Sequence, residues 1–214
     1  MKKTFVFTLI VALIFLGCSN DDDSQRDSID NNPQLTLIPD SSFEQALIDL
    51  GVDTELNGSV PTSSIANVTE LVFNNRGISS MQGLEDFSSL INLWLNDNML
   101  DQLNVSQNTN LKFIYAENNM LTSLSVNGLD DLEKIGMNGN NITSIDISGN
   151  PNLQQLEIID NEVSSLDVSN NPALTRLYVS GNPLTCIKVS PDQLANTPLD
   201  WIIDMEDELS ETCN

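Results

Sequence analysis

Residues 153–168 read LQQLEIIDNEVSSLDV, with apolar side chains at Leu153, Leu156, Ile158, Val163, Leu166 and Val168 around a lone Asn161. The pattern L-x-x-L-x-L-x-x-N-x-L-x-x-L-x-V recurs along the chain. Asn98, Asn119, Asn140, Asn161 and Asn182 are evenly spaced, and Leu90, Leu111, Leu132, Leu153 and Leu174 keep the same period. Farther along each unit, in the same order, come Leu100, Leu121, Ile142, Val163 and Leu184. A looser copy, VTELVFNNRGISSMQGL from Val68, precedes them at a spacing one residue longer and puts Arg76 at the asparagine position. A fixed period of this length signals a solenoid: each unit is too small to bury its own leucines, so the units stack and share one core.

Within a unit the L-x-L segment alternates, which makes it a strand with its leucines turned inward and its other residues outward. So short a unit has little room for a helix on its return leg, and extended or 3₁₀ segments are expected there. The asparagine leaves the strand at a turn where stacking buries backbone groups, and its amide can bond those of the next unit. Over residues 68–190 the chain resembles the leucine-rich repeat family. That resemblance implies a right-handed leucine-rich repeat solenoid with a parallel β-sheet on the concave face and a mostly non-helical convex side.

Before the repeats, PDSSFEQALIDLG places Ser41 ahead of Glu44 at a capping-box spacing. Phe43, Ala46, Leu47 and Leu50 then form one apolar helical face that ends at Gly51. Residues 35–67 are therefore expected to be an N-terminal cap and residues 191–214 a C-terminal cap. With its export signal, the arrangement resembles secreted bacterial repeat proteins of the internalin-like kind.

The export signal is MKKTFVFTLIVALIFLG at residues 1–17, two lysines followed by an apolar run too short to span a bilayer comfortably. Gly17-Cys18 resembles the cleavage point of bacterial lipoprotein signals, which implies lipidation at Cys18; cleavage without acylation is the alternative. The acidic Ser19–Asp23 run resembles tags that send lipoproteins to the exterior of the outer membrane. Residues 18–34 lack apolar periodicity and read as a flexible acidic tether.

The formal charge of -23 disfavours nucleic acid and anionic headgroups and favours basic partners, so the membrane is expected to be met through the lipid alone. The absence of histidine removes the commonest general base and His-ligated metal sites. Cys186 and Cys213, in an exported chain, are expected to form a disulfide. No metal site or cofactor is expected: Asp97 and Asp160 offer oxygen ligands, but no calcium-loop motif surrounds them. Glu117 and Glu157 are the best carboxylate pair for catalysis, yet strand geometry sets their Cα atoms about 11 Å apart, long for a glycosidase. No enzyme activity is expected.

The outward columns of the strands are more informative. One reads Val72, Trp94, Tyr115, Gly136, Glu157, Tyr178, and its neighbour Glu70, Asn92, Phe113, Lys134, Gln155, Arg176. Trp94, Tyr115 and Phe113 thus form an exposed aromatic patch of the kind that marks interaction sites. With Asn96, Glu117 and Tyr178 they are the candidate ligand-binding residues. The expected function is a monomeric surface protein that captures a protein or glycan on its concave face. A structural or accessory lipoprotein of an envelope assembly is the alternative.

Overall fold

A computed structural model describes residues 33–213; the leader, Cys18 and almost all of the tether lie outside the described residues. Within them, seven short strands build one parallel sheet: Glu70–Val72, Asn92–Trp94, Phe113–Tyr115, Lys134–Gly136, Gln155–Glu157, Arg176–Tyr178 and Asp200–Ile202. Their middle residues, from Leu71 through Leu93, Ile114, Ile135, Leu156 and Leu177 to Trp201, share one register. All of these but the partly buried Trp201 are closed off from solvent, inside a single hydrophobic cluster that runs through every unit. The chain is a leucine-rich repeat solenoid.

The return legs are extended, as the unit length requires. Ser123–Ser125 pairs in parallel with Ser144–Asp146, while Leu166–Asp167, Cys186–Lys188 and Glu208–Ser210 make a second short parallel sheet. The described α-helices, Ser41–Leu50, Thr62–Ile65 and Pro191–Ala195, all lie outside the repeated units.

The asparagines work as a ladder. Asn140 Nδ2 donates to the carbonyls of Ala116 (2.9 Å) and Met137 (3.0 Å), while its Oδ1 accepts from the Leu121 amide at 3.0 Å. Asn119 and Asn161 repeat the same set one unit to either side. One side chain thus satisfies three buried backbone groups in two units, each costing about 1–3 kcal/mol if left unpaired. The residue before each ladder position is left-handed: Asn75, Asp97, Asn118, Gly139, Asp160 and Gly181 have φ between 53° and 74°. Asn, Asp and Gly tolerate that conformation best, which gives Asp97 and Asp160 a backbone role at these turns.

A second ladder was not apparent from the sequence. Asn108, Asn150 and Asn171 are fully buried on the return side, and each donates its Nδ2 to two carbonyls of the preceding unit. Gln193 continues it into the C-terminal cap, bonding the carbonyls of Val168 (3.0 Å) and Asn171 (3.1 Å). Asn150-Pro151 and Asn171-Pro172 do turn the chain, but their asparagines also stitch the stack.

The N-terminal helix stops at a left-handed Gly51 as expected, but its start differs. Its N-cap is Asp40, not Ser41: one oxygen accepts from the amides of Ser42 and Phe43, the other from Ser79 and Ser80 in the first unit. Burial opposes ionisation of Asp40, but these bonds, led by the Ser79 hydroxyl, outweigh it and hold its pKa below the ordinary value. Glu44 is buried and accepts from the amides of Asn57, Gly58 and Ser59, so it organises a turn instead of closing a capping box. Phe43, Ala46 and Leu47 are buried as expected, with the Phe43 ring against Phe73 and Phe87, whereas Leu50 is exposed.

At the other end, Cys186 and Cys213 are bonded, with Cα atoms 5.8 Å apart. The bridge holds Glu208–Ser210 beside Cys186–Lys188 and so closes the second sheet. The strand Asp200–Ile202 adds a seventh turn within the cap, where the sequence suggested six units.

Candidate functional site

Backbone register fixes which side chains meet on the outward face of the long sheet. Val72, Trp94, Tyr115, Gly136, Glu157, Tyr178 and Ile202 form one row across the strands, as the alternation implied, with Ile202 added by the seventh strand. Trp94 and Tyr115 stack with ring centroids 6.2 Å apart and planes 6° from parallel. Beside them Val72 is 53% exposed, which lengthens the apolar stripe toward the N-terminal cap. Offset stacking of this kind contributes about 0.5–1.5 kcal/mol and holds both rings in a defined pose.

Gly136 is what lets Tyr115 lie as it does. A Cβ at that position would collide with Tyr115 Cδ1, stand 2.8 Å from Cε1 and come within 3.3 Å of Glu117 Oε1. The tyrosine ring therefore drapes over the neighbouring strand, and the Glu117 carboxylate reaches toward the same spot. The sequence signal was present but unread: one glycine in a row otherwise made of side chains of valine size or larger.

Phe113 stands one pleat along, half-buried, and its ring lies under the Lys134 ammonium at 5.4 Å. This is a cation–π contact. Asn96 has a backbone task as well as an outward position, since its Oδ1 accepts from the Glu117 amide at 2.9 Å. Tyr178 is three strands from Tyr115 and joins a different group. Its hydroxyl donates to Asp200 Oδ1 at 3.0 Å, and Arg176 lies over its ring at 5.6 Å while pairing with Asp200 at 2.9 Å. The six candidate residues thus separate into an N-terminal group of five and Tyr178.

Electrostatically the centre of the face is acidic. Burial first, then the charge of Glu157, raises the Glu117 pKa above the ordinary carboxylate value, although the Asn138 amide donates to it. Burial, Glu157 and Glu117 together push the Tyr115 hydroxyl upward. Gln155 Nε2 donates to Glu157 Oε1 at 2.6 Å. Among the described residues, no cluster of three or more acidic or sulfur side chains is arranged to hold a metal ion. None of the described helices is long and apolar enough to cross a membrane.

Comparison with known proteins supports the fold. No protein-family model matches the chain, and no curated protein matches it in sequence. Among solved structures, the chain is similar to an internalin C2 from Listeria monocytogenes, at 23% identity and a TM-score of 0.54 over 81% of this chain and 87% of that one. A chain of the LRIM1/APL1C complex aligns at 24% identity and a TM-score of 0.56, over 61% of this chain and 27% of that one. The functional domain of InlJ from Listeria monocytogenes matches at 21% identity and a TM-score of 0.44, over 85% of this chain and 50% of that one. The fold comparison rests on the first two.

Proposed function

We propose that the protein is a non-enzymatic binding protein of the bacterial cell surface, anchored in the outer membrane through a lipid on Cys18 and facing outward. It captures a partner on the concave face of the long sheet. The observation that carries the reading is the outward stripe of Val72, Trp94 and Tyr115, its rings stacked and preorganised, on a chain of formal charge -23. Ordered aromatic surface of this kind anchors protein interfaces and also stacks on sugar rings. The LRIM1/APL1C structure, itself a complex, supports a protein partner over a glycan. Pull-down of surface proteins and a glycan array, each run with the parent chain and with Trp94→Ala, test it; equal capture by both chains would contradict it. Mass spectrometry of membrane-extracted protein tests the anchor, with an acylated peptide beginning at Cys18 expected.

A second reading, an accessory lipoprotein of an envelope assembly, draws on the opposite end. Leu199 and Met205 in the C-terminal cap are fully exposed. In that case Leu199→Ser with Met205→Ser would disrupt the assembly, and Trp94→Ala would leave it intact.

A further inference from the structure

We infer that the partner captured on this face presents a cationic side chain, arginine or lysine, that docks over Gly136 against Tyr115, Glu117 and Glu157. The inference deepens the reading of a binding face and rests on it. Gly136 contributes no side chain to its row and is itself buried under the Tyr115 ring and Glu117 Oε1, so the surface a partner meets at this point is that ring and carboxylate. Glu157 rises from the adjacent strand at the same level of the row. A guanidinium or ammonium laid there meets an aromatic ring and two carboxylates at once, a combination that favours a cation and disfavours neutral or anionic groups.

Among the described residues, no basic side chain forms an ion pair with these carboxylates. The ion pairs among the described residues are Arg76–Asp49, Lys112–Glu133, Arg176–Asp200 and Lys188–Asp167; neither Glu117 nor Glu157 takes part. The hydrogen bonds that reach them come from the neutral amides of Asn138 and Gln155. Of the nearby cations, Lys134 lies over Phe113, and Arg176, though it feels the Glu157 charge, bonds Asp200 and Gln155. Burial first, and then the Glu157 charge, raises the cost of ionising Glu117, and a cation from the partner relieves that repulsion. Charge complementarity extends outward as well, because a chain of formal charge -23 steers basic partners toward itself and repels anionic glycans. The occupant that fits is a protein segment with a basic residue, its apolar neighbours lying along Val72 and Trp94.

The test uses the full chain in detergent and the peptide acetyl-Gly-Gly-Arg-Gly-Gly-amide, with the citrulline peptide as its neutral isostere. NMR follows the Trp94 indole and the Gly136 amide. Saturable shifts are expected with the arginine peptide and none with citrulline. Glu117→Gln with Glu157→Gln should weaken binding about tenfold, while Glu162→Gln, at an exposed acid outside the strand, changes it by less than about twofold. Equal response to citrulline, no saturable shift, retained binding in the double variant, or equal loss in Glu162→Gln would each overturn the inference. Its failure is separable from that of the binding face. If the arginine peptide fails while Trp94→Ala still loses the pulled-down partner, only the cationic side chain is wrong; if both fail, so does the face.

Discussion

The two halves of the long sheet share one backbone register but treat their outward side chains differently. In the C-terminal half Arg176, Tyr178, Asp200, Gln155 and Glu157 bond one another: the guanidinium reaches Asp200 and Gln155, the tyrosine hydroxyl reaches Asp200, and Gln155 reaches Glu157. In the N-terminal half Val72 is exposed, while Trp94 and Tyr115 are half-buried instead of forming the fully exposed patch expected, and stack on each other. Apart from Glu157, whose carboxylate takes only a neutral amide among the described residues, and the exposed Ile202, the C-terminal group satisfies itself; the N-terminal stripe gains most when something covers it. Position in the repeat therefore does not decide how an outward side chain is engaged, and what it finds beside it does.

The largest expected effect separates the halves by stability. Cys186 and Cys213 close a loop with a sequence separation of 27. Opening that bridge costs about 3.5 kcal/mol on the chain-entropy account. Thermal melts with and without reductant should show a lower midpoint, while capture at room temperature persists because the aromatic stripe lies at the far end of the stack. Loss of capture on reduction would join what the comparison divides.

Gly136→Ala should act in the opposite sense. The added methyl must displace the Tyr115 ring. This should cost about 1 kcal/mol in stability and reduce affinity for the captured partner about tenfold. Calorimetry with the parent and the variant checks this; unchanged affinity would mean that the pose of Tyr115 is incidental.

Smaller effects follow from charge. The folded-state pKa of Glu117 lies above its ordinary value, so its contribution to stability is fully present below the ordinary carboxylate pKa and lost as pH rises through the folded one. Glu117→Gln should then raise the melting temperature at neutral pH, with the advantage vanishing in acid. A variant that melts below the parent at neutral pH would contradict this. In the other half Asp200→Asn removes an exposed ion pair and should leave the melting temperature nearly unchanged.

What was legible in the sequence follows the same division. The leucines and the Asn98–Asn182 series could be read because stacking demands the same residue at the same place in every unit. The second ladder was hidden by Leu129, which replaces asparagine between Asn108 and Asn150, and by prolines that make the other two look like turns alone. The seventh strand escaped because the register step from Leu177 to Trp201 is longer than the repeat, with a short capped helix inserted between them. Asp40 and Ser41 are both good caps by type. The choice between them was made by Ser79 and Ser80, far along the chain, whose amides need an acceptor. Alternation alone was enough to list the outward residues. Their grouping depends on side-chain contacts, which is why alternation sets Tyr178 beside Trp94 and Tyr115 although it belongs to the self-bonded half.

A paired truncation tests most directly whether the aromatic half is the binding surface. Trp94→Ala and Tyr178→Ala remove a ring from the same row, four strands apart in the sheet. Titration calorimetry against the pulled-down partner, with a thermal melt of each variant, should show about a thirtyfold loss of affinity for Trp94→Ala and less than about threefold for Tyr178→Ala, with both melting close to the parent. Unaltered affinity in Trp94→Ala, a larger loss in Tyr178→Ala, or a collapse of stability in Trp94→Ala would contradict it.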